Sequence, residues 1–320
     1  MLNYDLKTGY SCNNKCVHCV IEDSRDKLCA ENKKPDLTTQ ECFDLIEQAV
    51  KCGADNIILT GGEVTIRPDF DKLINKILEY KLDITIQTNA RAFCRQRIID
   101  IIANISNIQF ITALHGSTAK THDNITQVTG SFDETCEGIK NLRSLNKLVI
   151  IKVVISKINL EELNEIILLA LKLGVKYLCF AFPHGQGAAR KNFEKLMPRY
   201  KDLKTKLKEI IYTAKEHEIK IEFEAVPFCV IPYAMHLVGE LKYFKSNTLC
   251  SQVHEKVFDW DKVRKDIKIK PELCGRCDMN LFCEGVWREY YEAYALNISD
   301  DLEPLKIPEA LKIKIMQKLK

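Results

Sequence analysis

Through about residue 185 the chain alternates short β-branched runs with longer amphipathic ones, and that alternation restricts it to very few folds. The strand candidates are 2–6, 56–59, 82–87, 108–114, 148–155 and 177–182, most of them bounded by Gly, Asn or Asp. Helical patterns lie between them. The first opens on Thr38-Thr39-Gln40-Glu41, which fits a capping box, and closes at Gly53. Parallel strands joined by right-handed helical crossovers give an α/β fold, either an open doubly wound sheet or part of a (β/α) barrel. Both place ligands at the C-terminal ends of the strands. Beyond 185 the rhythm changes to one long charged helix from about Pro198 to His217, a strand-like piece at 220–223, and an irregular region holding Cys229, Cys250, Cys274, Cys277 and Cys283. We expect a larger unit over 1–218 and a smaller one over 219–320, whose stretch from 307 to 320 reads as a short basic amphipathic helix.

Fourteen cysteines in 320 residues have to be matched to a redox compartment. The stretch Met1-Leu2-Asn3-Tyr4-Asp5 lacks the basic and apolar regions of a signal peptide, and no run approaches the roughly 18 apolar residues of a membrane span. The expectation is a cytoplasmic protein without a membrane partner, whose thiols serve metal ligation, catalysis or packing and not disulfides. Charge amounts to 47 basic against 44 acidic residues, a net +3, which gives no argument for a nucleic-acid partner. The lysine-rich stretch 201–215 reads as the solvated face of a helix.

Directly after the first strand stands Cys12-Asn13-Asn14-Lys15-Cys16-Val17-His18-Cys19, a C-x3-C-x2-C spacing. Three thiolates this close can wrap one small metal centre. Zinc fits less well, because a structural zinc site takes four closed ligands and the loop supplies three thiolates. On an iron–sulfur cubane, three thiolates leave one iron open. The end of the second strand carries Thr60-Gly61-Gly62-Glu63-Val64-Thr65, where two glycines permit close backbone approach and a carboxylate can accept hydrogen bonds from an ammonium.

On these two motifs, in this order and register, the chain resembles the radical S-adenosylmethionine superfamily. The resemblance implies a partial (β/α)6 barrel of the TIM type, a 4Fe–4S cluster on Cys12, Cys16 and Cys19, and S-adenosylmethionine bound with its amino group near Gly61, Gly62 and Glu63. It further implies cofactor contacts from strand ends, with Gln87, Asn89, Lys152, Ser156 and Asn159 as candidates. The segment Phe180-Ala181-Phe182-Pro183-His184-Gly185 corresponds to the part covering the adenine, with His184 as a rim histidine and not a ligand. The chemistry implied is reductive cleavage of the sulfonium to a 5′-deoxyadenosyl radical that abstracts a substrate hydrogen. A reductant such as flavodoxin or ferredoxin is implied as partner.

A second array, Cys274-Gly275-Arg276-Cys277 followed five residues later by Cys283, is compatible by itself with zinc or with an iron–sulfur cluster. Beside the first motif it resembles the auxiliary-cluster extensions called SPASM and twitch domains, and Glu284-Gly285, Trp287, Tyr290 and Tyr291 are similar to the end of that motif. A full SPASM domain carries seven cysteines for two clusters, whereas here Trp287 stands where a further cysteine is due. The resemblance therefore implies one auxiliary 4Fe–4S cluster. Cys250 or Cys229 can supply the fourth thiolate; the assignment made is Cys250, Cys274, Cys277 and Cys283, with Cys229 as spare thiol and candidate hydrogen-atom donor. Cys42, Cys52, Cys136 and Cys179 fall within helix or strand patterns and read as packing.

The function expected from the resemblance is modification of a ribosomally made peptide, by crosslinking or Cα epimerisation. The alternative is radical oxidation or rearrangement of a small molecule; a non-enzymatic zinc-binding module is a minor one. Because the cysteine loop begins at residue 12, no N-terminal leader-binding domain is expected, and a separate protein or the C-terminal region has to capture the peptide.

Overall fold

The structure, a computed structural model, describes residues 1–244 and 246–309. Most of the expected tail helix, from residue 310 onward, lies outside the described residues. One nine-stranded sheet organises the chain. Its strands are β1 (Leu2–Lys7), β2 (Asn56–Thr60), β3 (Asp83–Thr88), β4 (Ile108–Ala113), β5 (Leu148–Val154), β6 (Tyr177–Ala181), β7 (Lys220–Glu224), β8 (Asn247–Ser251) and β9 (Phe258–Asp259), in the order β7-β6-β5-β4-β3-β2-β1-β8-β9. All neighbours pair in parallel except β8 with β9. The six expected strands are all present, in an α/β fold of the partial-barrel kind. A two-stranded antiparallel ribbon, β10 (Lys268–Ile269) with β11 (Val286–Trp287), stands apart.

Local chemistry explains the elements. Thr38 and Glu41 form the expected capping box, with Glu41 N–H donating to Thr38 Oγ1 (3.3 Å) and Thr38 N–H to Glu41 Oε2 (2.7 Å), and start the helix Thr39–Lys51. Alternate strand residues form the core: Tyr4, Leu6, Ile57, Leu59, Ile86, Phe110, Ile151, Phe180 and Phe223 are fully buried. Each such side chain contributes roughly 1.5–3 kcal/mol relative to exposure. The other alternation places Asp5, Lys7, Gln87, Lys152, Cys179, Glu222, Glu224 and Cys250 together on the inner face of the sheet.

Three expectations change. Residues 220–224 are the seventh parallel strand, and β8 pairs in register with β1 (Asp5 opposite Cys250), so the sheet runs across the boundary expected at 218/219. The long helix begins at Tyr200 and not at Pro198, because Arg199 is held extended (φ −84°, ψ 142°) while its guanidinium pairs with the buried Asp301. Cys250 sits within a strand. Among the described residues, no helix is long and apolar enough to cross a membrane.

Candidate active site and a second cysteine site

The loop with Cys12, Cys16 and Cys19 leaves β1 over the C-terminal rim of the sheet and is pinned from several sides. Lys15 N–H donates to Thr126 O and Val17 N–H to Ile125 O (both 2.9 Å), while Arg91 Nη1 donates to Asn13 O and Asn14 Oδ1 (both 2.6 Å). Arg91 is itself held by Glu134 (2.6 Å). Ser11 donates through both N–H and Oγ to Asp36. Asn14 N–H points at Cys12 Sγ (3.4 Å). Burial pushes the Cys12 and Cys16 thiols up to about 11 and about 12, so in water they are neutral thiols that a metal centre converts to thiolate ligands.

The glycine pair has a reason visible in the backbone. A Cβ on Gly61 would lie 2.1 Å from Gly9 O, and one on Gly62 2.0 Å from Ser11 O; Gly61 also takes φ +120°. Gly62 and Glu63 N–H groups donate to Gly9 O (2.8 Å) and Ser11 O (2.9 Å). The two glycines therefore lock the end of β2 against the entry to the cysteine loop. Glu63 is buried and ties β2 to β3: Oε1 accepts from Thr65 N–H (3.1 Å), Thr65 Oγ1 (2.5 Å) and Thr88 Oγ1 (2.7 Å), and Oε2 from Asn89 N–H (2.7 Å). Burial raises its pKa in spite of these bonds, so the carboxylate gains from a further cationic partner at Oε2.

Of the other strand-end candidates, the rim brings Gln87 and Asn89 beside this site. Gln87 Oε1 accepts from Thr60 Oγ1 (3.3 Å). The Asn89 side-chain amide donates to Asn13 Oδ1 (2.7 Å), which makes it a brace for the cysteine loop. Ser156 and Asn159 differ from expectation. Asn159 Oδ1 accepts from Ser156 N–H (2.8 Å) and Oγ (3.1 Å), and its Nδ2 donates to His115 O and Val154 O (both 2.9 Å). Its four hydrogen-bonding positions are filled within the chain, and it joins the ends of β4 and β5. Lys152 lies two residues inside β5 and is paired to Glu224 Oε2 at 2.5 Å, within an inner-face group that includes Cys179, Glu222, Lys242 and Tyr177.

One feature of the rim had no sequence signal. His18, between two of the loop cysteines, packs edge-on against His115 (centroids 4.5 Å apart), and His115 stacks on His122 (6.0 Å). Burial first, and mutual repulsion second, lower the pKa of His18 to about 4 and that of His115 well below the usual value. The rings stand neutral at pH 7. His184 stacks on Trp287 (4.0 Å, 17°) and meets Glu289 at 3.4 Å, fastening the end of β6 to the C-terminal region.

The second cysteine group corrects the expected assignment. Cys229, Cys274, Cys277 and Cys283 line one cavity together. Cys250 is elsewhere, buried in β8 with Lys7 Nζ 3.2 Å from its sulfur. The reason is topological: β8 pairs with β1, so position 250 is fixed in the sheet, whereas the turn after β7 carries Cys229 to the ribbon. The Cys229 thiol is thus a member of the ring and not the spare thiol. Two of the sulfurs have an amide aimed at them: Leu305 N–H donates to Cys277 (3.3 Å) and Gly285 N–H to Cys283 (3.4 Å). Gly285 (φ +87°) lets the backbone pass Ile269 O, which would lie 2.1 Å from a Cβ. Glu284 anchors this turn by accepting Lys268 (2.8 Å) and Arg264 (2.8 Å) in a buried charge group with Glu240.

Among the described residues, neither cysteine group brings three sulfurs within 4.8 Å of one another. Tetrahedral zinc–sulfur bonds of about 2.3 Å put sulfurs roughly 3.8 Å apart. Among the described residues, only Cys179, Glu222 and Glu224 bring three ligand atoms within 4.8 Å of one another. Wider thiol sets with backbone N–H groups directed at sulfur fit iron–sulfur clusters.

A partial α/β barrel with a three-cysteine loop on its rim and a glycine-glycine-carboxylate turn beside it defines a class of cluster-bearing, cofactor-cleaving enzyme. Residues 6–170, just over half of the chain, match the Radical SAM superfamily, and the chain belongs to it. Family membership carries with it a 4Fe–4S cluster and S-adenosylmethionine. The AdoMet-dependent heme synthase of Methanosarcina barkeri is 29% identical over 189 residues, 58% of this chain and 52% of that protein. The mycofactocin maturase MftC of Mycobacterium tuberculosis is 29% identical over 166 residues, 52% of this chain and 40% of that one. The chain thus spans about half the length of the curated relatives it matches. In fold it is similar to SuiB of Streptococcus suis bound to S-adenosylmethionine, with a TM-score of 0.66 at 16% identity over 95% of this chain and 76% of SuiB.

Proposed function

We propose that this radical SAM enzyme modifies a ribosomally made peptide, by crosslinking or Cα epimerisation, and carries an auxiliary 4Fe–4S cluster on Cys229, Cys274, Cys277 and Cys283. The observation behind it is the pairing of the rim loop with a four-thiol ring fastened to the same sheet through β8 and the His184–Trp287 stack. Kinship with mycofactocin maturases supports the peptide, as does a shared fold with SuiB, which has been crystallised with its precursor peptide SuiA.

Cys12, Cys16 and Cys19 would hold a 4Fe–4S cluster, which would supply the electron for reductive cleavage of S-adenosylmethionine. The chain's own residues do the placing. Arg91 and Asn89 fix the loop, the free acceptor capacity of Glu63 Oε2 orients an ammonium, and His184 on Trp287 shields the rim from water. The inner face with Lys152 and Glu224 receives the substrate. A flavodoxin or ferredoxin serves as reductant.

The test is a search of the neighbouring reading frames for a short peptide, followed by anaerobic incubation of that peptide with the enzyme, S-adenosylmethionine and reductant. Loss of two hydrogens marks a crosslink, and gain of one deuterium from heavy water marks epimerisation. A peptide that stays unchanged while 5′-deoxyadenosine forms on addition of a small molecule overturns the peptide reading. Kinship with the heme synthase supports that second reading, a radical oxidation of a small molecule.

A further inference from the structure

The segment that follows the helix Ile298–Asp301 crosses the thiol cavity and is tied at both ends. Before it, the fully buried Asp301 accepts Arg199 Nε (2.8 Å) and Lys201 N–H (3.1 Å), which anchors it to the helix Tyr200–Glu216. After it, Asp278 N–H donates to Leu305 O (2.9 Å), and Ile307 N–H donates to Asp278 Oδ2 (3.1 Å). Between the anchors Leu302, Glu303 and Pro304 line the cavity. The amide of Leu305 donates to the sulfur of Cys277 (3.3 Å). The residue before Leu305 is a proline, which has no N–H to satisfy.

We propose that Glu303-Pro304-Leu305 is a strap that tunes the cluster on Cys229, Cys274, Cys277 and Cys283: its Leu305 amide raises the reduction potential, and its chain bars substrate from the cluster. The inference rests on the cluster reading of that site. An added electron puts negative charge on the thiolate sulfurs, and the Leu305 N–H dipole aimed at one of them stabilises the reduced form. Four thiolates leave no iron open, and the strap covers the cavity that holds them, so this site handles electrons while bond-making stays at the rim. Through Asp301 the strap is continuous with the barrel.

The full chain carrying Cys12→Ala, Cys16→Ala and Cys19→Ala, reconstituted anaerobically, isolates the second site for potentiometric titration followed by electron paramagnetic resonance. Leu305→Pro deletes the amide that Leu305→Ala keeps. With about four irons in each protein, we expect a lower midpoint and faster iron loss to a chelator for Leu305→Pro, and parental values for Leu305→Ala. Asp278→Ala removes the side-chain tie to Ile307, keeps the backbone bond from Asp278 N–H to Leu305 O and deletes no amide of the strap; it is expected to shift both readings the same way by a smaller amount, and it decides the matter if Leu305→Pro does not fold. Parental midpoint and chelation rate in a folded, iron-loaded Leu305→Pro or Asp278→Ala protein overturn the strap. Absence of iron from the triple-alanine parent instead overturns the cluster reading itself.

Discussion

The rim site takes its three thiols from eight consecutive residues, whereas the second site gathers four from pieces of chain as far apart as 229 and 283. The first is built by a loop whose conformation the surrounding barrel imposes, through Arg91, Thr126 and the β2 turn. The second is built by tertiary closure, with β7, the ribbon and the 302–307 segment each bringing one side. On the proposed cluster reading they also differ in coordination. Three thiolates leave a place for a cofactor; four, covered by a strap, do not.

The largest test of this contrast is the triple replacement of Cys12, Cys16 and Cys19 by Ala, which is expected to abolish 5′-deoxyadenosine formation while about four irons remain. Undiminished cleavage breaks the division of labour. Next, Cys229→Ala is expected to lose about half of the total iron and Cys250→Ala none; the reverse result, read by iron analysis, restores the assignment drawn from spacing alone. Gly62→Ala sharpens the comparison by striking one site only. Its Cβ meets Ser11 O, so we expect destabilisation of about 3 kcal/mol or more by denaturant titration, with iron lost from the rim site first. The smallest effect is expected for Glu134→Gln, which weakens a partly exposed pair with Arg91: about 0.5–1 kcal/mol in stability, with iron content unchanged. A loss of rim-site iron in that variant would show the loop to be more dependent on Arg91 than its several other ties suggest.

The same contrast governs what the sequence could reveal. Cys12, Cys16 and Cys19 and the Gly61-Gly62-Glu63 turn were legible because each is local, and spacing along the chain equals spacing in the loop. Cys229 was misread because Val226-Pro227-Phe228-Cys229 has no pattern of its own, and Cys250 was misread because the strand Asn247–Ser251 is short and follows an irregular stretch. Its alternation of Thr248, Cys250 and Leu249, Ser251 was the available signal. Asn159 shows a further limit: a polar residue after a strand reads alike whether it serves a ligand or a neighbouring strand, and only its filled hydrogen bonds tell which. The six strands of the first half were legible because their β-branched runs are flanked by turn residues.

The pairing of β1 with β8 has a consequence for how the protein is made. At about 5–20 residues per second, the strand that carries the rim loop waits on the order of 10–50 s after leaving the ribosome before its second neighbour emerges. During that interval one side of β1 is an open template for wrong partners. Slowing elongation between β7 and β8 would lengthen the exposure, and the yield of soluble protein would record it.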